Sequence, residues 1–443
     1  MKSGLVSGED GARTGLVLTI AAVLLGAVLS PSASGGVLSR HRKAEAPAEQ
    51  PSKGPSASQA PAFSIPVEPL GFYPPGPYYL GQREALVSLD FLGESKLLFT
   101  FRAPGLMHRT DAAETERRIR AEVLTLPQGA VETEALWTLH DHDRYLWMLR
   151  DGKFLLRDQN TIREGDSRLN LRPLLEFPGP LLSVEMDPGQ HYLVTNSLEP
   201  SATQAKKGQV GSPDTADADV GRDSEEEGGR KDVVLRILER ESGEVMLVSR
   251  VRSPVHLPIN ASGYLETLPG KSKDWVVSFD GFRGGSKVLG RVESSCQPPA
   301  MFVSPDEAVV NACILQNGRR LVALSTQGRE LWEAASPPTQ IWPLFAMGAD
   351  GSRLARETLT VDHSIEDFGH AFDPQEIKGQ TVEVFDAVGG KLLLRAPASP
   401  VLDGGGNVAI SPSGNRVAIL NGGAIEVYEL APPAATTPQQ SLP

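Results

Sequence analysis

Apolar and polar residues alternate in short runs along most of this chain, and glycine-containing turns punctuate the runs. The clearest instance is VAISPSGNRVAILNGGAIEVYEL, Val408 to Leu430. Alternating apolar positions on both sides of its Ser-Pro-Ser-Gly turn predict two half-buried antiparallel strands, and a third strand follows. Weaker copies recur upstream in LLSVEMDPGQHYLVTN, MFVSPDEAVVNAC and FAMGADGSRLARETL. A second unit of strand, glycine turn and strand recurs in LVALSTQGRELWEAA, VEVFDAVGGKLLLRAP and VLRILERESGEVMLVSRV.

The turn anchors are Gly93, Gly152, Gly189, Gly263, Asp306, Gly351 and Gly414. Where nothing is inserted they recur at about 40 residues, the period of one four-stranded propeller blade. The pattern therefore predicts an all-β chain, a single β-propeller of four-stranded antiparallel blades over 63–430. The count is seven blades, within a range of six to eight because the second and fourth are indistinct. Two spacings are long. One holds an acidic, aromatic-free insert over 201–232, read as disordered, and the other a loop insert over 361–380. The final blade shows only three clear strands, so the fourth is expected from Phe63 to Tyr79, which would join the two ends of the domain and remove exposed edges.

In these turns and hairpins the chain resembles the broad bacterial β-propeller group that includes YVTN-type, WD-repeat-like and quinoprotein-like repeats. The resemblance covers Phe63 to Leu430 and concerns architecture only. The WD dipeptide and the Gly-His start of WD repeats are missing, and the tryptophan docking position of quinoprotein blades occurs only at Trp332. What the resemblance implies is a disc with a central channel whose loops on one face bind a ligand or partner. It carries no functional residue onto a position of this chain.

Outside the repeat, Gly15 to Leu29 is an uninterrupted apolar run, shorter than the ~20 residues that cross a bilayer comfortably. Small residues follow, with Ser32 and Ser34 placed as a signal-peptidase site, so residues 1–34 read as a cleaved secretory signal. The alternative is an uncleaved membrane anchor, favoured by the weakly positive start and by Arg40, His41, Arg42 and Lys43 just after the run. Residues 35–62 are Pro/Ala/Ser-rich and read as a disordered linker, and 431–443 as a disordered tail. The expected location is extracytoplasmic, periplasmic or secreted, or else membrane-anchored through 15–29. Glycine and proline together make roughly 18% of the chain, which suits many turns and falls short of collagen-like or wholly disordered composition. The net charge of −12 argues against a nucleic-acid binder, which needs clustered Lys and Arg.

Cys296 and Cys313 are too far apart for CxxC and too few for a structural zinc site. A disulfide is the reading that export favours, and two unrelated buried thiols the alternative. A bridge set between successive blades would staple them.

Candidate chemistry is sparse. His363, Glu366, Asp367, His370 and Asp373 gather metal-ligand types within the second insert, but in no established ligand pattern, and a polar surface loop is the plainer reading. His140 and His142 share one face of a strand, with Asp141 and Asp143 on the other, and would need a third ligand from another blade to hold a metal. The acidic segment lacks the DxDxDG geometry that wraps calcium. No GxSxG, SxxK, Cys-His or phosphate-cradling motif occurs. Trp137, Trp147, Trp275, Trp332 and Trp342 read as packing between blades, with carbohydrate stacking at the channel mouth as the alternative.

The sequence therefore predicts an exported, non-catalytic, monomeric propeller scaffold that presents loops to a protein or small ligand, with no cofactor and no nucleic acid. The rival is a propeller enzyme (a lactonase, lyase or glycan-active enzyme) whose site is assembled from scattered channel residues. A quinone- or metal-dependent redox propeller is disfavoured by the incomplete repeats.

Overall fold

The computed structural model describes residues 59–432 except 75, 81–83, 104–115, 202–230, 272, 315–317 and 365–373. It is almost wholly β. A first strand β1 (Phe63–Pro66) and a short β2 (Tyr78–Tyr79) precede the repeat. Blade 1 then follows as β3 (Val87–Gly93), β4 (Lys96–Ala103), β5 (Arg117–Thr125) and β6 (Ala130–Leu139). Five further four-stranded antiparallel sheets succeed it in chain order, beginning at Leu146, Leu181, Ile259, Ala300 and Gln340. A seventh sheet is completed by β1. The seven-bladed propeller expected from the turn spacing is the fold, and each blade starts at the expected turn-bearing hairpin.

Closure works as the missing fourth strand required. β1 pairs antiparallel with the last strand of the chain (Ala424–Glu429), with Phe63 opposite Val427 and Ile65 opposite Ile425. Only these four residues join the blade; the rest of the segment turns and packs inward. Phe72 meets Phe99 and Phe101 edge-on at 5.4 and 5.3 Å. One core thus joins Ile65, Val67 and Phe72 to blade 1 and to Ala418, Leu420 and Ile425 of blade 7. Burying each such aromatic contributes about 2–3 kcal/mol, so the N-terminal segment acts as a wedge as well as a strand. Beyond it, β2 pairs in parallel with Val401–Leu402 in the connector between blades 6 and 7.

The remaining cores lie between neighbouring blades. Trp137 of blade 1 packs on Phe154 of blade 2 at 5.6 Å. Trp332 of blade 5 stacks on Phe385 of blade 6, and its Nε1 donates to Glu307 Oε1 and to the Ala387 carbonyl. These two tryptophans fill the inter-blade role expected of them, and so does Trp147, which packs with Leu155 and Ile162 of blade 2 and Val184 and Leu193 of blade 3 while also lining the channel.

The tight turns keep a common chemistry. Gly351 and Gly414 take the left-handed conformation, φ 74° and 69°, where a Cβ is strained. In blade 3 the left-handed residue is Gln190 rather than the neighbouring Gly189. There Asp187 fixes the turn by accepting bonds from the Gly189, His191 and Tyr192 amides.

In an antiparallel blade successive connections fall on opposite faces of the ring. All the tight turns between first and second strands therefore share one face. The connections between second and third strands share the other, together with the blade-to-blade connectors. On that connector face the chain leaves and re-enters the sheet between Ala103 and Arg117, Pro200 and Lys231, and Val361 and Ile377. The first of these makes the Gly93–Gly152 spacing long as well, a third break in the period that the turn count passes over. Strands resume at Lys231 and Ile377, inside the ranges 201–232 and 361–380 expected to be inserts. The signal or anchor, most of the linker, the bulk of both inserts and the tail from 433 lie outside the described residues.

Cys296 and Cys313 form a disulfide. Cys296 lies in the connector that leads into blade 5 and Cys313 on that blade's second strand (Glu307–Ile314), so the bridge ties blade 5 to its own incoming connector on the connector face. Ser294 supports it, its Oγ donating to the Cys296 carbonyl and accepting from the Cys313 amide.

Candidate functional site

The first strands of all seven blades converge on one central channel of about 590 Å³. Its wall is mainly apolar, with Phe91, Trp147, Met186, Met301, Phe345 and Met347 among the lining residues. The tight-turn mouth is crossed by one side chain. Arg150, in the blade 2 turn, donates from Nη2 to the Pro188 carbonyl of blade 3 and from Nε to the Ala349 carbonyl of blade 6, at 2.9 and 2.8 Å. Gln190 completes the bridge by accepting from the Arg150 amide. This strut floors the channel and leaves the connector face as its mouth.

Polar groups are set along the channel singly or in pairs. Ser88 Oγ donates to Asp90 Oδ2 at 2.6 Å, and burial pushes the Asp90 carboxyl up to about 6, against the pull of that bond and of Arg144. Arg144 lies before the first strand of blade 2. Its guanidinium rests 5.3 Å from the centre of the Trp147 ring, and its Nε donates to the Leu146 carbonyl at 3.0 Å. Protein surrounds Arg144 at channel depth, which lowers its pKa, yet the channel keeps it in contact with solvent. Next to it, the buried Tyr145 hydroxyl meets Thr100 Oγ1 at 2.7 Å and is pushed up to about 12 by desolvation.

On the other side, His256 in the connector to blade 4 contacts Glu185 Oε1 through Nδ1 at 2.8 Å and the Ala300 carbonyl through Nε2 at 3.0 Å. Two acceptors on one ring favour the imidazolium, and the Glu185 bond holds its pKa above the ordinary value. At blade 6, Glu357 Oε1 accepts from Gln380 Nε2 at 2.6 Å, and desolvation pushes the carboxyl up to about 8, so it is neutral at pH 7. Among the described residues no three His, Cys, Asp or Glu side chains are grouped to hold a metal ion.

The residues singled out in the sequence fall elsewhere. His363 is exposed, its Nδ1 2.9 Å from Asp362 Oδ1, at the root of the second insert. Glu366, Asp367, His370 and Asp373 lie outside the described residues. His140 and His142 lie in the connector between blades 1 and 2 and face different partners. The His140 amide and Nδ1 both reach Asp158 Oδ1, while His142 Nδ1 lies 3.2 Å from Glu84 Oε1. Between them Asp141 accepts from Arg157 Nε and from the Gln159 amide. The motif LHDHDRY thus fastens a connector onto blade 2 and onto the segment before blade 1, and its histidines face different partners.

The channel residues Asp90, Arg144, Glu185, His256 and Glu357 were not legible beforehand. In LVSLDFL the polar residues fall at the alternate positions of an ordinary solvent-facing strand edge. The one available signal was positional and reached only Asp90 and Glu185, which lie on first strands and so near the axis once the phase of the repeat is known. Arg144 and His256 precede first strands, and Glu357 lies on a second strand.

No protein-family model matches the chain, and no curated protein matches it in sequence. Solved structures do resemble it. An acylaminoacyl peptidase from Pyrococcus horikoshii aligns with a TM-score of 0.42 at 10% identity, over 79% of this chain and 52% of its own. The chain thus spans about half the length of that enzyme. The β-propeller domain of the trilobed protease from Pyrococcus furiosus aligns at 0.41 and 10% identity, over 80% of this chain and all (100%) of that domain. A putative TolB from Agrobacterium tumefaciens aligns at 0.36 and 11% identity, over 68% and 94%. At this level the chain is similar to these proteins in being a propeller, and the fold itself rests on its own seven sheets.

Proposed function

We propose that the protein is an exported, non-catalytic binding propeller that takes a small ligand, or the end of a partner chain, into its central channel from the connector face. The carrying observation is the channel: about 590 Å³, walled by methionine and aromatic side chains and floored by Arg150. Pockets of this size and lining suit small molecules, and methionine surfaces adapt to varied apolar shapes. The pairing of its polar groups supports binding over turnover. His256 has both nitrogens engaged and Glu357 is held by Gln380, which leaves neither poised as a base. The rival reading, a propeller enzyme, would have to work through Asp90.

Export is supported by the disulfide, since such bridges persist mainly in oxidising compartments, and by the apolar run at 15–29. The protein acts as a monomer in this reading. Edman sequencing of protein recovered from a bacterial envelope should begin near residue 35, whereas an intact Met1 would favour the anchored form.

Binding is tested with N-phenyl-1-naphthylamine, a neutral apolar fluorophore. It should bind at one site, quench tryptophan emission and be excluded by Met301→Arg, which puts a charge into the channel of an otherwise folded protein. Unsaturable binding, or binding that Met301→Arg leaves unchanged, would reject the channel as the site.

A further inference from the structure

We infer that the channel recognises a carboxylate carried on an apolar body, and that Arg144 is the residue that selects it; this rests on the binding function proposed above. Arg144 and His256 line the channel and Arg150 crosses its tight-turn end, and two of these three cations are already engaged. Arg150 spends its donors on the Pro188 and Ala349 carbonyls, and His256 on Glu185 and Ala300. Arg144 differs. Its Nε is tied to the Leu146 carbonyl and its guanidinium carbon lies 5.3 Å from the centre of the Trp147 ring, while its two terminal nitrogens have no hydrogen-bond or ion-pair partner among the described residues. A guanidinium tied at Nε beside an aromatic ring keeps its remaining fork pre-oriented, the geometry that accepts a planar carboxylate through two parallel bonds.

Asp90 sharpens the choice. It is the one charged group that acts on Arg144 to hold the cation, yet the two lie beyond the 4.0 Å of an ion pair. Both residues line the channel. A nearby negative charge penalises a dianion such as phosphate more than a monoanion, which favours a carboxylate. The apolar body follows from the wall around the pair, where Phe91, Trp147 and Met186 line the same channel.

The test compares 4-phenylbutanoate with 4-phenylbutanamide, equal in shape and different in charge, by calorimetry on the full chain. The acid should bind about tenfold or more tighter than the amide, the scale of a charge-assisted bidentate contact. Arg144→Gln should bring that ratio to about one, with Arg144→Lys retaining part of it. Asp90→Asn should raise the ratio severalfold by removing the opposing charge, which keeps the test open even where Arg144→Gln fails to fold. An acid-to-amide ratio of one in the native protein, a ratio that survives Arg144→Gln, or a ratio that Asp90→Asn does not raise would each overturn the inference. If the amide and the naphthylamine bind while the ratio is one, only the carboxylate assignment fails. If none of the three binds, the channel-binding function fails with it. An acetylated tetrapeptide ending in leucine, set against its C-terminal amide, identifies the source: tighter binding than phenylbutanoate points to a chain end, weaker binding to a free organic acid.

Discussion

The two faces of the ring are built from the same repeats and held by different means. On the tight-turn face, arginines reach from blade to blade and close on backbone carbonyls. Arg150 crosses to blades 3 and 6, Arg416 of blade 7 donates to the Glu94 carbonyl of blade 1, and Arg353 of blade 6 donates to the Gly414 and Ala431 carbonyls beside Asp386. On the connector face, buried amides hold the incoming chain alongside arginines such as Arg157, which donates to the Leu181 carbonyl. Asn196 brackets the Val255 amide and carbonyl, Gln380 bonds both the amide and carbonyl of Leu402, and Asn407 reaches Pro400 and Gln380. The disulfide adds a covalent tie on that side. The difference has a physical reason. Short turns, of two or five residues, keep backbone acceptors close to the sheet ends, whereas connectors of widely varied length must each be fastened by side chains suited to them. Variation, and with it the channel mouth, is confined to one face.

The seam between blades 6 and 7 offers the sharpest contrast, because Arg353 locks one face of it and Gln380 the other. Arg353 is 2% exposed, and Arg353→Ala strands Asp386 and two carbonyls, so a loss of about 3 kcal/mol is expected in denaturant unfolding. Gln380→Ala should cost less, about 2 kcal/mol, since its partners are neutral amide, carbonyl and protonated carboxyl groups. Equal, sub-kilocalorie effects would show that neither face depends on its lock.

Removing the disulfide tests the connector face alone. Replacing Cys296 and Cys313 by alanine opens a loop of sequence separation 17, and about 3 kcal/mol is expected in the chain-entropy account. Tight-turn amides should keep their hydrogen-exchange protection relative to the global value. If they lose it as readily as those near Cys313, the faces are not independent.

The third prediction concerns pH. Glu357 keeps its proton up to about pH 8 in the folded protein, whereas the unfolded chain releases it near the ordinary glutamate value of about 4.3. Between these limits the native state holds the extra proton, so stability falls as pH rises through the interval, and the penalty is complete above about 8. Glu357→Gln should flatten part of this fall between pH 5 and 9. The rest remains, because burial also raises Glu307 and Glu122 to about 7. An unchanged slope in the variant would show that Glu357 ionises freely.

The smallest effect is expected from Arg150. Its bonds are exposed, so Arg150→Ala should alter stability by no more than about 1 kcal/mol. It should nevertheless increase acrylamide quenching of tryptophan, by admitting the quencher to Trp147 from the floor. Unchanged quenching would mean that the channel is already open at that end.

The blade count, phase and closure were legible because each depends on local chemistry repeated many times. Seven turns with neighbouring alternation overdetermine the array, even where Gly189 yields its left-handed role to Gln190. Trp332 was readable as an inter-blade docking residue for the same reason. The break between Ala103 and Arg117 escaped because one long spacing can be mistaken for an indistinct blade. The histidines of LHDHDRY looked like ligands because sequence shows which residues share a strand face and conceals what lies opposite. The facing groups, Asp158 and Glu84, come from the next blade and from the segment before the first.

What the sequence determined by itself was the architecture: an all-β ring, the joining of its first and last strands, and the pairing of its two cysteines as the favoured option. What only the tertiary structure decided was the channel. Arg144, Asp90, Glu185, His256 and Glu357 come from five different parts of the chain, and each alone is an ordinary polar residue near a strand. Their convergence on one channel and the free edge of Arg144 arise only when seven blades close around one axis. Ring closure is a global constraint that no local pattern of residues records.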